Sequence, residues 1–203
     1  MWIKLIITVI AGYLLGNLNG AVCASKALGD DVRTHGSGNA GLTNFVRIYG
    51  AGRASLVVLI DAGKAVVACL LGGFLLKADM SFQEGAVLGG AGVMLGHVFP
   101  VFLGFRGGKG ILSGFFIALI TDYRVALLLL VVFAVVYFIT WYVSLGSIAA
   151  AAGFAIAFAV LYYNQPVIML CGIFMGALAI FMHRQNIVRL CKGQERKTNL
   201  FKK

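Results

Sequence analysis

Apolar residues fall in long runs, and the polar residues gather in the short segments between them. Seven runs stand out: Ile3–Ala24, Ala54–Leu76, Gly85–Phe105, Ile111–Thr121, Val125–Val143, Ser144–Tyr163 and Pro166–Met182. A hydrocarbon core of about 30 Å needs roughly 20 helical residues, so the longer runs predict transmembrane helices. The fourth run has only eleven residues. At 1.5 Å rise per residue it covers about 16 Å, so it is either a half-helix or borrows from Gly110 and Tyr123. Non-helical backbone at membrane depth is tolerated only inside protein or along a wet cavity, which singles out the segment before this helix. The first run, with Lys4 near its start and small residues near Ala24, also fits a signal peptide. Its long apolar core and the membrane character of the later runs favour an anchoring helix.

Composition supports this reading. The 203 residues are 61% hydrophobic and 12% charged, with a mean hydropathy of +0.95. A soluble domain carries about 25% charged residues, and a disordered chain is poor in apolar ones. The expected architecture is an all-α integral membrane protein, one polytopic domain over residues 1–203 with about seven transmembrane helices. Seventeen Lys and Arg against seven Asp and Glu leave a net charge of +10. Such an excess points to anionic lipid, phosphorylated substrates or nucleic acid, and the small soluble surface disfavours nucleic acid. The four cysteines show no C-x-x-C spacing, and the scattered carboxylates form no pair at helical spacing, so neither a disulfide framework nor a metal site is expected.

The cations also assign the sides of the membrane. With seven spans, one side receives Lys26, Arg33, Arg47, Arg53, Arg106, Lys109, Arg184, Arg189, Lys192, Arg196, Lys197, Lys202 and Lys203. The other receives Lys4, Lys77 and Arg124. The basic side is expected to be cytoplasmic, with the N-terminus outside and the C-terminus inside.

Three polar, glycine-bearing segments fall on that side. The first runs from His35 to Arg47. Gly36, Gly38 and Gly41 allow left-handed backbone and close approach of a ligand, Ser37, Asn39, Thr43 and Asn44 offer short hydrogen-bonding groups, and the Arg47 fork suits phosphate. The same residues also fit an interfacial loop whose Thr-Asn pair caps a short helix. The second holds His97 and Pro100, then Arg106-Gly107-Gly108-Lys109-Gly110, and feeds the short helix. A glycine turn at a helix N-terminus presents free N–H groups to an anion. It departs from a Walker A loop in its glycine spacing, and Gly110 stands where Ser or Thr would hold Mg²⁺. A tight turn with positive-inside charges is the plain alternative. In the third, His183, Asn186 and Arg189 share a face if the seventh helix continues past the interface; a solvated basic helix end is the alternative. Asp61 and Lys64 lie three apart inside the second run. Each costs about 2.5–3.5 kcal/mol at a helix centre, so they pair or face a polar cavity.

At these segments the chain resembles the bacterial membrane acyl-phosphate:glycerol-3-phosphate acyltransferases, the PlsY family. The matching stretches are Gly36-Ser37-Gly38-Asn39-Ala40-Gly41-Leu42-Thr43-Asn44 with Arg47, Gly96-His97 to Pro100 with Phe105-Arg106-Gly107-Gly108-Lys109-Gly110, and Asn186-Ile187-x-Arg189-Leu190-x-x-Gly193-x-Glu195. The resemblance implies transfer of a fatty acyl group from acyl phosphate to the 1-hydroxyl of sn-glycerol 3-phosphate, giving lysophosphatidic acid and phosphate. It implies that Ser37, Arg47, Lys109, His183 and Asn186 hold glycerol phosphate, and that Gly107, Gly108 and Gly110 form part of a phosphate cradle. Ser37, Arg47, His183 and Asn186 are the catalytic candidates, with Asn39, Asn44, Arg106 and His97 as further substrate-binding candidates. Asp61, Lys64 and Glu195 are assigned structural roles. No cofactor or metal is expected.

The implied partners are the two substrates, membrane lipid and a soluble enzyme that makes acyl phosphate, and the implied setting is the bacterial inner membrane with the site facing the cytoplasm. Acyl phosphate is already activated, so direct attack by the substrate hydroxyl is expected, with His183 or a substrate phosphate oxygen taking the proton. The H-x-x-x-x-D pair of another glycerol-phosphate acyltransferase group is absent, since Ala40, Phe102 and Val188 stand five residues after the three histidines. A transporter of a phosphorylated solute, or a membrane subunit docking an anionic partner, would use similar cations.

Overall fold

The computed structural model describes residues 1–198; Lys202 and Lys203, counted above among the basic-side charges, lie outside them. The described residues are helical, with no strand among them. In chain order the helices are α1 (Trp2–Gly16), α2 (Gly20–Lys26), α3 (Leu42–Tyr49), α4 (Ser55–Leu76), α5 (Phe82–Val98), α6 (Ile111–Thr121), α7 (Tyr123–Thr140), α8 (Val143–Leu161), α9 (Pro166–Met182) and α10 (Arg184–Cys191). Five spans, Trp2–Lys26, Ser55–Leu76, Phe82–Leu103, Tyr123–Thr140 and Val143–Leu161, are long and apolar enough to cross a membrane, six if the bent α9–α10 pair counts as one, against about seven expected; α6 is apolar but shorter.

The ends of these helices alternate between the two ends of the bundle. Lys4 Nζ meets Asp79 Oδ2 at 2.9 Å and Tyr162 donates to Asp122 at 2.9 Å, at the turns that precede α5 and α7. At the opposite end Asn17 Oδ1 accepts from the Phe102 N–H at 3.1 Å, and the Thr198 N–H donates to the Trp141 carbonyl at 3.1 Å. The glycine-bearing segments share that second end.

Three expectations change at the helix ends. The first run is broken at Asn17–Asn19. Asn17 bonds back to the Tyr13 carbonyl at 2.7 Å, and Asn19 caps α2 by accepting from Val22 N at 3.0 Å. Short amide side chains compete with the backbone for its own partners, which stops one helix and starts the next. The short fourth helix borrows nothing, because Gly110 in the left-handed region opens it and extended Asp122 closes it. The seventh helix does not run straight past the interface but turns by 54° at His183.

Lipid tails are as apolar as leucine, so helices in a membrane associate through close packing of small residues. Here α5 is squeezed between α1 and α4 on its glycines. A Cβ at Gly92 would lie 3.2 Å from Gly12 Cα, one at Gly16 would lie 2.7 Å from Gly96 Cα, and one at Gly85 would lie 3.0 Å from Gly73 Cα. Exposed apolar residues cover the outside, with Ile139 75% and Leu130 50% exposed on α7. Only hydrocarbon covers such a surface favourably.

Gly92→Leu is therefore expected to lower the thermal midpoint in detergent, with an overpacking penalty of about 1–3 kcal/mol or more. Gly63→Ala, at a site with no neighbour within 4 Å, serves as the neutral control. An unchanged midpoint for Gly92→Leu would contradict the α1–α5 contact.

Candidate active site

One cavity of about 670 Å³ opens where the glycine-bearing segments meet and continues between α6, α7, α8 and α9. Its polar end is lined by Ser37, Asn39, Asn44, Arg47, His97, Lys109, Gly110, His183, Asn186 and Arg189. Its apolar arm is lined by residues such as Phe115, Leu129, Phe133, Ala151, Phe154 and Met175.

The first loop owes its shape to Asn44, which opens α3 and is 2% exposed. The two N–H groups of its amide are shared among the carbonyls of Val32, His35 and Asn39, each 3.1 Å from Nδ2, and its oxygen accepts the Ser37 N–H at 3.0 Å. Every polar atom of Asn44 is thus spent on the loop, so it organises the backbone under Ser37. The cap expected from Thr43 and Asn44 is not made, since Gly41 stands at the helix N-cap. Gly36 and Gly38 adopt φ of +62° and +69°, conformations that a side chain would strain.

The second loop behaves differently from the expected three-glycine cradle. Gly110, at φ +77°, lines the cavity. Gly107 and Gly108 do not; they pack on the end of α5, where the Gly108 N–H donates to the His97 carbonyl at 3.1 Å. A Cβ at Gly107 would lie 2.8 Å from the Val98 carbonyl, so these glycines serve close chain approach. Arg106 points away as well, into a separate hollow beside Arg33 and Thr34. Behind the cavity wall, Lys64 pairs with Asp61 at 2.8 Å; Asp61 reaches the lining and Lys64 does not.

The bend at His183 turns the third segment over the cavity. Lys109 Nζ donates to Asn186 Oδ1. Asn186 Nδ2 donates to Glu195 Oε1 at 2.7 Å, and Arg189 Nε donates to Glu195 Oε2 at 2.7 Å. Burial pushes the Lys109 ammonium down to about 8, partly offset by Glu195. Burial also opposes ionisation of Glu195, but the hydrogen bonds from Arg189 and Asn186 outweigh it and hold the carboxyl below its ordinary range. His183 Nδ1 lies 2.8 Å from the Ala179 carbonyl. A carbonyl only accepts, so Nδ1 carries the hydrogen and Nε2 is left as an acceptor.

The C-terminal strap was not foreseen. Arg196 and Thr198 line the cavity. Thr198 accepts from Arg47 at 3.0 Å, while its carbonyl accepts from Tyr137 at 3.0 Å. No periodicity marks this segment, so its place depends on the fold alone. Ser144 and Ser147, on the first turns of α8, also line the cavity.

Fold and site together define an integral membrane protein with a cationic cavity that runs on into an apolar arm. A family model described as glycerol-3-phosphate acyltransferase matches residues 6–193. The glycerol-3-phosphate acyltransferase of Thermoanaerobacter sp. (strain X514) is 38% identical over 193 residues, covering 95% of this chain and 94% of its own. That of Finegoldia magna is 36% identical, covering 97% of each chain. A crystal structure of PlsY, an integral membrane glycerol 3-phosphate acyltransferase, in its glycerol 3-phosphate form superposes with a TM-score of 0.85 at 32% identity, covering 98% of this chain and 99% of that one. Its lysophosphatidic acid form gives a TM-score of 0.83. The chain belongs to the glycerol-3-phosphate acyltransferase (PlsY) family. It is an acyltransferase of phospholipid synthesis.

Asn44→Ala is expected to leave the Asn39 carbonyl and the Ser37 N–H without a partner, while the Val32 and His35 carbonyls keep the N–H groups of His35 and Gly38. Deuterium exchange of residues 35–41 then speeds up by about tenfold or more, as expected for loss of buried hydrogen bonds, while exchange in α4 and α5 is unchanged. Equal exchange of residues 35–41 in wild type and variant would remove Asn44 as the organiser.

Proposed function

We infer that the chain transfers a fatty acyl group from acyl phosphate to the 1-hydroxyl of sn-glycerol 3-phosphate. The observation that carries this reading is the cavity itself: cations and amides at one end and an unbroken apolar arm at the other. Both substrates bear phosphate, and one bears a long apolar tail. Ser37, Arg47, Lys109, His183 and Asn186 hold glycerol 3-phosphate, aided by Asn39 and the Gly110 backbone. The fatty chain lies in the arm beside Phe133 and Phe154.

In the transfer the hydroxyl oxygen bonds to the acyl carbonyl carbon, and the bond from that carbon to the phosphate oxygen breaks. Phosphate leaves with the electron pair, and lysophosphatidic acid is the other product. Binding both substrates in one geometry supplies most of the acceleration, and the cations stabilise charge gathering on phosphate. His183 Nε2, an acceptor, receives the hydrogen bond of the attacking hydroxyl, whose proton passes through that nitrogen or directly to an oxygen of the departing phosphate. No hydrogen bond joins the Ser37 hydroxyl to a base among the described residues, which favours direct transfer over an acyl-enzyme. The reaction needs no metal and takes acyl phosphate from a soluble enzyme. The basic end of the bundle faces the cytoplasm of a bacterial cell, since the excess of Lys and Arg lies there.

The test is purified protein given acyl phosphate and labelled glycerol 3-phosphate with a chelator present. Label is expected in the organic phase, and Arg47→Ala is expected to lower turnover by about a hundredfold or more with the fold intact. Label that stays aqueous with the wild type would end the reading. Phosphate binding needs Lys109 charged, and its ammonium is present below about 8 and lost above it. kcat/KM is therefore expected to fall as pH rises through about 8, and Lys109→Arg moves that limb upward. A flat profile from pH 7 to about 10 would exclude Lys109 as the cation.

A further inference from the structure

Asp61 and Lys64 do more than neutralise each other inside a membrane helix. Lys64 Nζ lies 2.8 Å from Asp61 Oδ1, 2.6 Å from the Leu18 carbonyl and 2.8 Å from His97 Nδ1. The Gly16 carbonyl is farther, at 3.3 Å. An ammonium has three N–H groups and no lone pair, so it only donates, and these four acceptors share its three hydrogens. Asp61 stays the matching anion, because its Oδ1 also accepts the Gly20 N–H at 3.1 Å. His97 Nδ1 is 3.6 Å from Asp61, too long for a hydrogen bond, so among the described residues its close partner is the lysine. Nδ1 must therefore accept, and the imidazole hydrogen is forced onto Nε2.

That nitrogen has no hydrogen-bond partner among the described residues, although His97 is 3% exposed. It lies against Gly108, in the gap between the Ala40 and Gly108 backbones, and His97 lines the polar end of the cavity beside Lys109 and Gly110. Only glycine fits at 108, since a Cβ there would collide with the imidazole. A donor left without a protein acceptor at a cavity wall is open to the acceptor of a ligand.

We propose that Lys64, held by Asp61, is a positioning residue that locks His97 as an Nε2–H donor aimed at a substrate phosphate oxygen between the two glycine loops. This role rests on the reading of the cavity given above. It also gives the two buried histidines opposite tasks: His183 presents an acceptor to the site, and His97 presents a donor.

The test uses protein with ¹⁵N-labelled histidine, the His97 signals being assigned by their loss in His97→Phe. The expected spectrum shows His97 protonated at Nε2 and bare at Nδ1, with His183 the reverse. Inorganic phosphate is then titrated in, and the His97 Nε2–H signal is expected to shift. Removing both charges in Asp61→Asn/Lys64→Met leaves no unpaired ion. It is expected to mix the His97 tautomers and raise KM for one phosphate substrate by about tenfold, the size of one hydrogen bond to a charged group, with kcat little changed. His97→Phe is expected to raise KM to the same extent, and combining the changes adds nothing further.

Separate KM values for glycerol 3-phosphate and acyl phosphate tell which phosphate is held. A bare Nε2 in the wild type, an Nε2–H signal indifferent to phosphate, wild-type KM values for both substrates in His97→Phe, or multiplying losses in the combination would each overturn the proposal. If the paired variant does not fold, the wild-type spectrum and His97→Phe still decide it. The spectrum and the phosphate titration need no turnover, so a failed acyl-transfer assay sinks the reading of function without touching this test.

Discussion

A charged group inside a bilayer must be partnered by the protein, and the site is built around meeting that demand. Lys109 at the start of α6 donates to Asn186 on α10, Asn186 to Glu195, and Arg189 to the same carboxylate. This chain of bonds ties the second glycine loop to the third segment across the cavity mouth. Remove it, and the bend at His183 has nothing to lean on. The cations need the carboxylate for their own stability in a poorly solvated place, yet one carboxylate among several cations leaves the mouth positive. The surplus is what attracts phosphate.

Close packing makes that arrangement rigid. Glycines on α5 bring it backbone to backbone against α1 and α4, and α5 carries His97 at its end. The polar residues of the membrane interior attach to this same tight unit: Lys64 bonds to the carbonyls that end α1, and Asp61 accepts from the first residue of α2. The break in the first span is thus part of the site's support, because it frees the Gly16 and Leu18 carbonyls to receive the lysine. Between α6, α7, α8 and α9 the helices leave an apolar arm open. An enzyme joining a fatty chain to a headgroup needs both: a rigid polar end to orient phosphates and an oily slot that tolerates a long tail.

Some of the site could be seen in the residues alone, and particular positions show where that stops. Ser37, Arg47, Lys109, His183 and Asn186 were picked from three separated segments, and one cavity gathers them all. Their chemistry is distinctive in an otherwise apolar chain. Gly107 and Gly108 belong to the same motif as Gly110 but pack under His97, since a glycine pattern does not say whether the close neighbour is a ligand or the chain itself. Asn44 looked like a ligand-binding amide and proves to be a loop clasp. Arg196 and Thr198 carry no pattern at all.

Hydrophobic runs by themselves determined that the chain is helical and membrane-embedded, because burying backbone in hydrocarbon leaves few other choices. Charge spacing determined that Asp61 and Lys64 would need partners, and residue type marked the polar segments. Only the tertiary structure decided which nitrogen of each histidine carries the hydrogen, that the last helix turns at His183, and which glycines line the site. Those depend on contacts between residues far apart in the chain, where distances of a few tenths of an ångström separate a donor from an acceptor and a cradle from a wall.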